Sequence, residues 1–262
     1  MKDMQHTKQK NYRKGVTMFD FSFDRRTIYI ILGILVVTSL LTAPHNLLAT
    51  LFALPAVLVA ITFHEYAHAW VADRLGDETP RMQGRLTLNP LAHLDPVGSI
   101  LLVFAGFGWG KPVEIEPRNF NRDVSVQKGE ALVSVAGPVM NFILAIVFAL
   151  VLGAVYLFAP ATFLETTVGY AIWLLLQECV LINIGLGVFN LLPLPPLDGS
   201  KIFINLFPYS ARRWLIEHEM WFYYGFLIIW ITGIASLVIA PIISLLYDGL
   251  MSGVIALLRL FL

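Results

Sequence analysis

Charge, cysteine and basic clusters are all scarce in this sequence. Only 14% of the 262 residues are Asp, Glu, Lys or Arg, against roughly 25% in a soluble domain. The single cysteine, Cys179, excludes a disulfide framework and a cysteine-rich metal site. Net charge is zero and no basic patch with interleaved aromatics occurs, so no nucleic-acid partner is predicted. With 57% hydrophobic residues and a mean hydropathy of +0.72, the composition predicts a polytopic membrane protein.

Long apolar runs divide the chain into about six predicted transmembrane helices. The runs are 28–43, 47–72, 130–158, 170–192, 220–240 and 241–262. Asp248 near the middle of the last run leaves a tilted or interfacial helix as the alternative there. The predicted fold is an all-α polytopic helical bundle, with a cytoplasmic N-terminal arm at 1–26 and one membrane domain at 27–262. Six crossings would place both termini on the cytoplasmic side.

The segment between the second and third runs has a different character. Residues 79–128 are rich in Gly, Pro and Asn and break into short pieces. Two of these pieces, 84–88 and 111–117, alternate polar and apolar residues as short strands do. Residues 97–109 lie between them and are apolar but too short to span, which favours a re-entrant segment over an interfacial or covered loop. A small β-containing and re-entrant cytoplasmic segment is therefore predicted.

One motif that carries chemistry lies near the end of the second run. His64, Glu65 and His68 form an H-E-x-x-H, a pattern expected by chance only about 0.005 times in this composition. On a helix, His64 and His68 lie one turn apart on one face and can bind one Zn²⁺. Glu65, offset by roughly 100°, would flank the metal and accept a proton from the attacking water. A pair of histidines that merely satisfy each other is the alternative, but ionisable residues in an apolar helix usually mark a site.

The sequence also predicts the depth and the side of this motif. At 1.5 Å per residue from Leu47, His64 lies about 26 Å along a bilayer core about 30 Å thick. The residues that follow are charged and several are basic, as is typical of a cytoplasmic end: Asp73, Arg74, Asp77, Glu78, Arg81 and Arg85. The site is therefore predicted to lie inside the membrane near its cytoplasmic face.

A catalytic zinc requires a third protein ligand. The candidates are Asp198, His93, Asp95, Glu178 and Asp248. Asp198 is favoured because the fourth run ends at the predicted depth of the two histidines, and the prolines before Asp198 create irregular backbone of the kind tolerated around a cavity. A role for Asp198 as a helix cap is the alternative. Turn formation explains His93 and Asp95 more simply.

These motifs together resemble the site-2 protease family of intramembrane zinc metalloproteases, in the compact form without a PDZ or CBS domain. The resemblance rests on HEYAH at 64–68, LDG at 197–199, GRLTLNP at 84–90, GWGKP at 108–112, AGP at 136–138 with Asn141, and NLLP at 190–193. It implies a zinc-dependent endopeptidase with His64, His68 and Asp198 as metal ligands and Glu65 as the catalytic base. Asn190 and Asn141 match polar family positions, which implies that they contact the substrate.

The resemblance implies a multi-pass protein of the cell membrane that cleaves membrane-embedded protein substrates near the cytoplasmic face. A regulatory membrane partner or a homo-oligomer stays open. A membrane transporter or metal carrier is the main alternative, yet a carrier has no need of Glu65 beside the two histidines and no inverted repeat is apparent. An inactive, scaffolding relative is disfavoured because every motif residue is present, and the apolar setting excludes a soluble thermolysin-like protease.

Overall fold

The computed structural model describes residues 44–105, 109–204 and 207–262, together with Gly33 and Val37. The predicted arm at 1–26 lies outside these described residues, as does nearly all of the first predicted span at 28–43. The described helices are α1 (Pro44–Arg74), α2 (Thr79–Met82), α3 (Pro96–Ala105), α4 (Val126–Phe158), α5 (Ala161–Leu164), α6 (Thr167–Asn190), α7 (Asp198–Ile204), α8 (Tyr209–Glu217), α9 (Glu219–Ile231) and α10 (Ile234–Leu258), with single 3-10 turns at Pro90–Ala92, Pro117–Asn119 and Arg259–Phe261.

Four helices in the described part of the chain are long and apolar enough to cross a membrane. They are Phe52–Arg74 within α1, all of α4, all of α6, and Ile234–Phe261, which extends α10 by its final turn. The outward face of α4 is apolar, as lipid contact requires, and carries Val139, Ile143, Ile146, Val147 and Val151. The chain is therefore a helical membrane protein, as the composition predicted.

The bundle core lies between α4, α6 and α10. Small residues on α4, including Ala145 and Ala149, let Val180 and Ile184 of α6 pack closely against it. Close approach through small residues is the usual way in which helices associate in a membrane, where apolar burial alone does not favour association. Helix α1 packs on the opposite edge against both α4 and α6, so polar residues on α1 face this pair of helices.

The boundary predicted between the last two spans is wrong. The chain breaks at Gly233, whose φ of +73° is a left-handed conformation that glycine adopts without a steric penalty. Pro241 instead lies inside α10, where a transmembrane helix tolerates the one hydrogen bond that proline removes. Helix α9 has 13 residues and is about 20 Å long, too short to cross a bilayer alone. Among the described residues of 220–262, only Ile234–Phe261 is therefore long and apolar enough to cross a membrane, where two spans were predicted.

This change affects where the chain ends. Val254 and Leu258 of α10 lie against Gly153 of α4, about 24 Å along α4 from Gly137 at 1.5 Å per residue. Gly137 itself lies against His64 and His68. The C-terminal end of α10 and the histidine pair are thus at opposite ends of α4. The six-span prediction required the C terminus to lie on the same side as the site, and the structure differs from it in this respect.

The two predicted strands, at 84–88 and 111–117, are not strands in the structure. In 84–88 the N–H groups of Gly84 and Arg85 donate to backbone carbonyls of the preceding turn, and in 111–117 several backbone groups bind side chains. The N–H groups of Val113 and Glu116 donate to Glu65 and Asp77, and the carbonyls of Lys111 and Pro112 accept from Arg85. A single antiparallel bridge, between Leu94 and Gly110, brings together the two ends of the predicted re-entrant segment, which contains α3.

Candidate metal centre

Two elements bring the predicted metal ligands together. Helix α1 carries His64 and His68 one turn apart, and Asp198 is the first residue of α7. Prolines at 193, 195 and 196 forbid continuation of α6, so the chain turns back on itself. Gly199 then packs directly against the carbonyls of Leu191 and Leu192, where a side chain would collide. This close approach brings Asp198 back to the bundle beside the histidines.

The three side chains converge on one point. Nε2 of His64 lies 3.0 Å from Nε2 of His68, and both nitrogens lie 3.1 Å from Oδ2 of Asp198. Both histidines are buried, with side chains 7% and 9% exposed, whereas the Asp198 side chain is 15% exposed. No other group of three His, Cys, Asp or Glu residues in the described part of the chain could hold a metal ion.

These residues fit a zinc ion. Zinc bonds of about 2.0–2.1 Å in tetrahedral geometry separate neighbouring ligand atoms by roughly 3.3 Å, close to the spacing observed here. Gly137 of α4 supplies the room, because a Cβ at this position would lie 2.5 Å from Nε2 of His68 and 2.6 Å from Nε2 of His64. Any other residue would thus place an atom where the ligand atoms meet.

The outer nitrogens of both imidazoles contact protein oxygens. Nδ1 of His64 lies 2.6 Å from Oδ1 of Asn141, and Nδ1 of His68 lies 2.7 Å from the backbone carbonyl of Val133. Histidines that bind metal commonly donate their second ring N–H to such an oxygen, which fixes the tautomer and the ring orientation. With Nδ1 protonated on both rings, two Nε2 lone pairs and a carboxylate oxygen face one another, a donor set suited to a cation.

Glu65 lies beside this group and is held by a loop. Its Oε2 accepts the backbone N–H of Val113 at 2.9 Å. The loop is in turn fixed by Arg85, whose guanidinium donates to the carbonyls of Ala92, Lys111 and Pro112. Burial lowers the pKa of Arg85 below its ordinary value, and the negative charges of Glu65 and Glu114 offset only part of this shift. A buried cation therefore lies near Glu65 and holds the segment that contacts it.

The structure separates the other candidate ligands from the metal group. His93 is fully buried and its Nε2 contacts the carbonyl of Thr87, while Asp95 accepts the N–H of Gly98 at the start of α3, as expected for turn residues. Glu178 and Asp248 are not part of the metal-binding group either. Asn190 lies at the end of α6 and donates to the carbonyl of Leu186.

Sequence reasoning missed several residues that shape the site. Gly137 belongs to the quoted AGP motif, but the clash that makes glycine necessary is visible only once α4 is packed on α1. Asn183 belongs to none of the quoted motifs and is, by sequence, only a polar residue of an apolar run, whereas in the structure it contacts Asn141. The carbonyl of Val133 has no sequence signal, because every residue carries a carbonyl.

Zinc affinity should distinguish Asp198 from Glu178 and Asp248, the two candidate ligands that lie outside the metal-binding group. We expect Asp198→Ala to lower zinc affinity at least about hundredfold, because catalytic zinc sites use three protein ligands and two imidazoles alone would remain. Glu178→Gln and Asp248→Asn should bind zinc as the wild type does. Competition with a chromogenic chelator in detergent micelles measures all three, and a wild-type affinity in Asp198→Ala would contradict the ligand assignment.

A multi-helix membrane bundle that holds two helical histidines, a flanking glutamate and a converging aspartate defines a membrane-embedded zinc metalloprotease. The chain belongs to peptidase family M50, whose sequence pattern matches residues 52–232. The family resemblance drawn from the motifs is thereby confirmed, as are the metalloendopeptidase activity and the zinc cofactor.

Named relatives agree with this assignment. The chain is 41% identical over 201 residues to "Putative zinc metalloprotease YwhC" of Bacillus subtilis, a match that covers 74% of this chain and 87% of that protein. Rip2 of Mycolicibacterium smegmatis, which carries the same designation, is 33% identical over 175 residues, or 66% of this chain and 62% of that protein. "Zinc metalloprotease MJ0392" of Methanocaldococcus jannaschii is 27% identical over 155 residues, covering 59% and 33% of the two chains. No solved structure matches the chain significantly.

Proposed function

We propose that this metalloprotease hydrolyses peptide bonds of transmembrane protein substrates within the bilayer, close to the cytoplasmic face. In this proposal His64, His68 and Asp198 hold the zinc ion and Glu65 is the catalytic base. The observation that carries the proposal is the convergence of the two Nε2 atoms and Oδ2 of Asp198 within 3.1 Å of one another. The two histidines lie on a helix that is apolar enough to span a membrane.

Bound zinc supplies a Lewis acid that polarises the peptide carbonyl and makes water acidic enough to ionise near neutral pH. The remaining steps fall to the protein. Glu65 accepts the proton of the attacking water and then returns it to the leaving amine. The N–H of Val113 binds Oε2 of Glu65, which holds the carboxylate in one orientation and leaves its other oxygen for the water.

The distribution of charge supports a cytoplasmic orientation for the site. Helix α1 ends, α4 begins and α6 ends near the metal group, and the connecting residues 75–125 hold five basic residues, Arg81, Arg85, Lys111, Arg118 and Arg122. The connection at the other end, residues 159–166, contains no Lys or Arg. Basic residues collect on the cytoplasmic side of membrane proteins, so we place the metal group near that face and the C terminus on the other side.

Depth is also consistent with cleavage inside the membrane. His68 lies six residues before the end of α1, or about 9 Å from its last residue. A bond cleaved there would lie in the cytoplasmic third of a core about 30 Å thick. We also propose that Asn190, eight residues before Asp198, contacts the substrate. Asn141, to which the family resemblance gave the same role, is fully buried and lies against His64, so in this proposal it supports that histidine.

A reconstituted assay tests this function. Purified protein in liposomes should cleave a single-span substrate at bonds in the cytoplasmic third of its span. When the substrate sequence is shifted by three residues relative to the membrane, mass spectrometry of the products should show cleavage at the same depth, and therefore between different residues. Cleavage sites that follow the sequence instead of the depth would contradict the depth proposal. Cleavage only of soluble peptides would contradict the choice of substrate class.

Arg85 offers a test of the loop that holds Glu65. Arg85→Met preserves much of the side-chain volume but leaves the carbonyls of Ala92, Lys111 and Pro112 without their donor, at a cost of about 1–3 kcal/mol for a buried group that loses its partner. We expect faster proteolytic cutting within residues 109–117 and a lower kcat, with zinc affinity unchanged.

Arg81 provides the matched control, because its side chain is 63% exposed and pairs with Asp73, which belongs to α1 and not to the loop that holds Glu65. Arg81→Met should leave both proteolysis and kcat near wild type. Equal proteolysis of the two variants would show that Arg85 does not hold the loop.

A further inference from the structure

Two asparagines lie fully buried in the apolar core next to the metal group. Asn141 of α4 and Asn183 of α6 are both 0% exposed. Polar side chains inside a membrane bundle are costly unless they are hydrogen-bonded, and they usually mark a function. Asn141 contacts His64 directly, whereas the recorded hydrogen bonds of Asn183 go to Asn141 and to the carbonyl of Cys179 and to none of the three metal ligands.

The hydrogen bonds of these residues have only one consistent direction. Nδ2 of Asn183 lies 2.8 Å from the backbone carbonyl of Cys179, and a carbonyl can only accept. The NH₂ group of Asn183 must therefore face Cys179, which turns its Oδ1 toward Asn141 at 3.0 Å. That oxygen also only accepts, so Asn141 must present its own NH₂ group to Asn183.

The same direction continues to the metal ligand. The NH₂ group of Asn141 also lies 3.1 Å from the carbonyl of Ala60, a second partner that can only accept. Oδ1 of Asn141 is thereby left facing Nδ1 of His64 at 2.6 Å, where it requires a proton on Nδ1. With that proton in place, the lone pair of His64 is on Nε2, which faces Asp198 and His68.

We propose that Asn183 is a positioning residue that acts through Asn141 to fix His64 as the Nδ1–H tautomer, with Nε2 free for zinc. The inference rests on the proposed role of His64 as a zinc ligand. His68 reaches the same tautomer by a shorter route, since its Nδ1 contacts the carbonyl of Val133 directly. At His64 the side-chain amide of Asn141 takes the place that the backbone carbonyl of Val133 has at His68. An amide can present either its oxygen or its NH₂ group to a neighbour, and the contacts with Asn183 and Ala60 determine which group faces His64.

Zinc affinity of the purified protein tests this role, measured by chelator competition in detergent micelles. Loss of such an outer contact typically weakens metal binding about 10–100-fold, so we expect this loss for Asn141→Leu and a loss of about tenfold for Asn183→Leu. Cys179→Ala is the matched control one turn away on α6, because it removes the thiol but keeps the backbone carbonyl that accepts from Asn183. This variant should bind zinc like the wild type.

A double variant distinguishes positioning from simple packing. If Asn183 acts only through Asn141, the variant with both substitutions should bind zinc no more weakly than Asn141→Leu alone. Independent packing defects would instead multiply. NMR of zinc-loaded, ¹⁵N-histidine-labelled protein adds a direct readout, because the Nδ1 proton of His64 should exchange slowly with water in the wild type and in Cys179→Ala, but rapidly in Asn183→Leu.

The outcomes separate the inference from the function on which it rests. No zinc binding by the wild type would overturn the proposed function itself. Zinc binding by the wild type with unchanged affinity and unchanged proton exchange in Asn183→Leu would overturn only the role of Asn183. Multiplied effects in the double variant would show that Asn183 acts independently of Asn141, which would also overturn the proposal.

Discussion

Glu65→Gln should retain zinc and lose nearly all turnover. Loss of a general base typically lowers the rate by about 10²–10⁴-fold, and an amide cannot accept the proton of the attacking water. Glutamine keeps the shape of the side chain, and its amide oxygen can still accept the N–H of Val113. We therefore expect kcat to fall within this range while KM and zinc content change little, measured with a reconstituted transmembrane substrate.

Glu114→Gln is the matched control for this substitution. Glu114 lies on the same loop, is exposed, and accepts from Gln83 at 2.9 Å, so its loss should not affect turnover. The same pair of variants separates protease from metal carrier, because a carrier would keep zinc flux in Glu65→Gln. Comparison of membrane proteomes containing wild-type or Glu65→Gln protein should then reveal substrates as proteins that accumulate uncut. Full turnover by Glu65→Gln would exclude Glu65 as the base.

The chemistry of this protein could be predicted from sequence more fully than its architecture. The H-E-x-x-H at 64–68 is a local pattern, and its helical spacing alone determines that two imidazoles share a face. Asp198 is distant in sequence, but the prolines before it and the direction of the preceding helix limited the choice. The structure brings these three residues together, as the depth argument anticipated.

The predicted strands and the predicted boundary between the last two spans rested on local sequence patterns. In both cases contacts made in the folded chain decide the structure instead. The pieces at 84–88 and 111–117 alternate like strands, but in 111–117 the side chains of Arg85, Glu65 and Asp77 bind backbone groups that a sheet would have used. In 84–88 the first N–H groups donate to the preceding turn. Gly233 and Pro241 both signal a helix break, and sequence alone does not show which one neighbouring helices will tolerate. The break at Gly233 leaves one helix of spanning length where two were predicted, and the C-terminal end of that helix lies at the end of α4 opposite the histidines.

Gly137→Ala should remove zinc binding although it adds only one methyl group. The new Cβ would lie 2.5 Å from Nε2 of His68 and 2.6 Å from Nε2 of His64, well inside the contact distance of about 3.5–4.0 Å for non-bonded atoms. Both imidazoles would have to move, although Asn141 and Val133 hold their outer nitrogens. We expect zinc affinity to fall at least about hundredfold, the upper end of the loss seen when the support of a metal ligand is removed, and turnover to fall with it.

Gly249→Ala is the control that isolates this collision. Gly249 also lies inside a long helix, α10, but a Cβ there would have no atom within 4 Å. Alanine is the better helix former by about 1 kcal/mol, so this variant should be as stable as the wild type or more so and should bind zinc normally. If Gly137→Ala bound zinc as tightly as Gly249→Ala, α4 could not lie against the histidines as described. The room for the metal would then have to come from another face of the site.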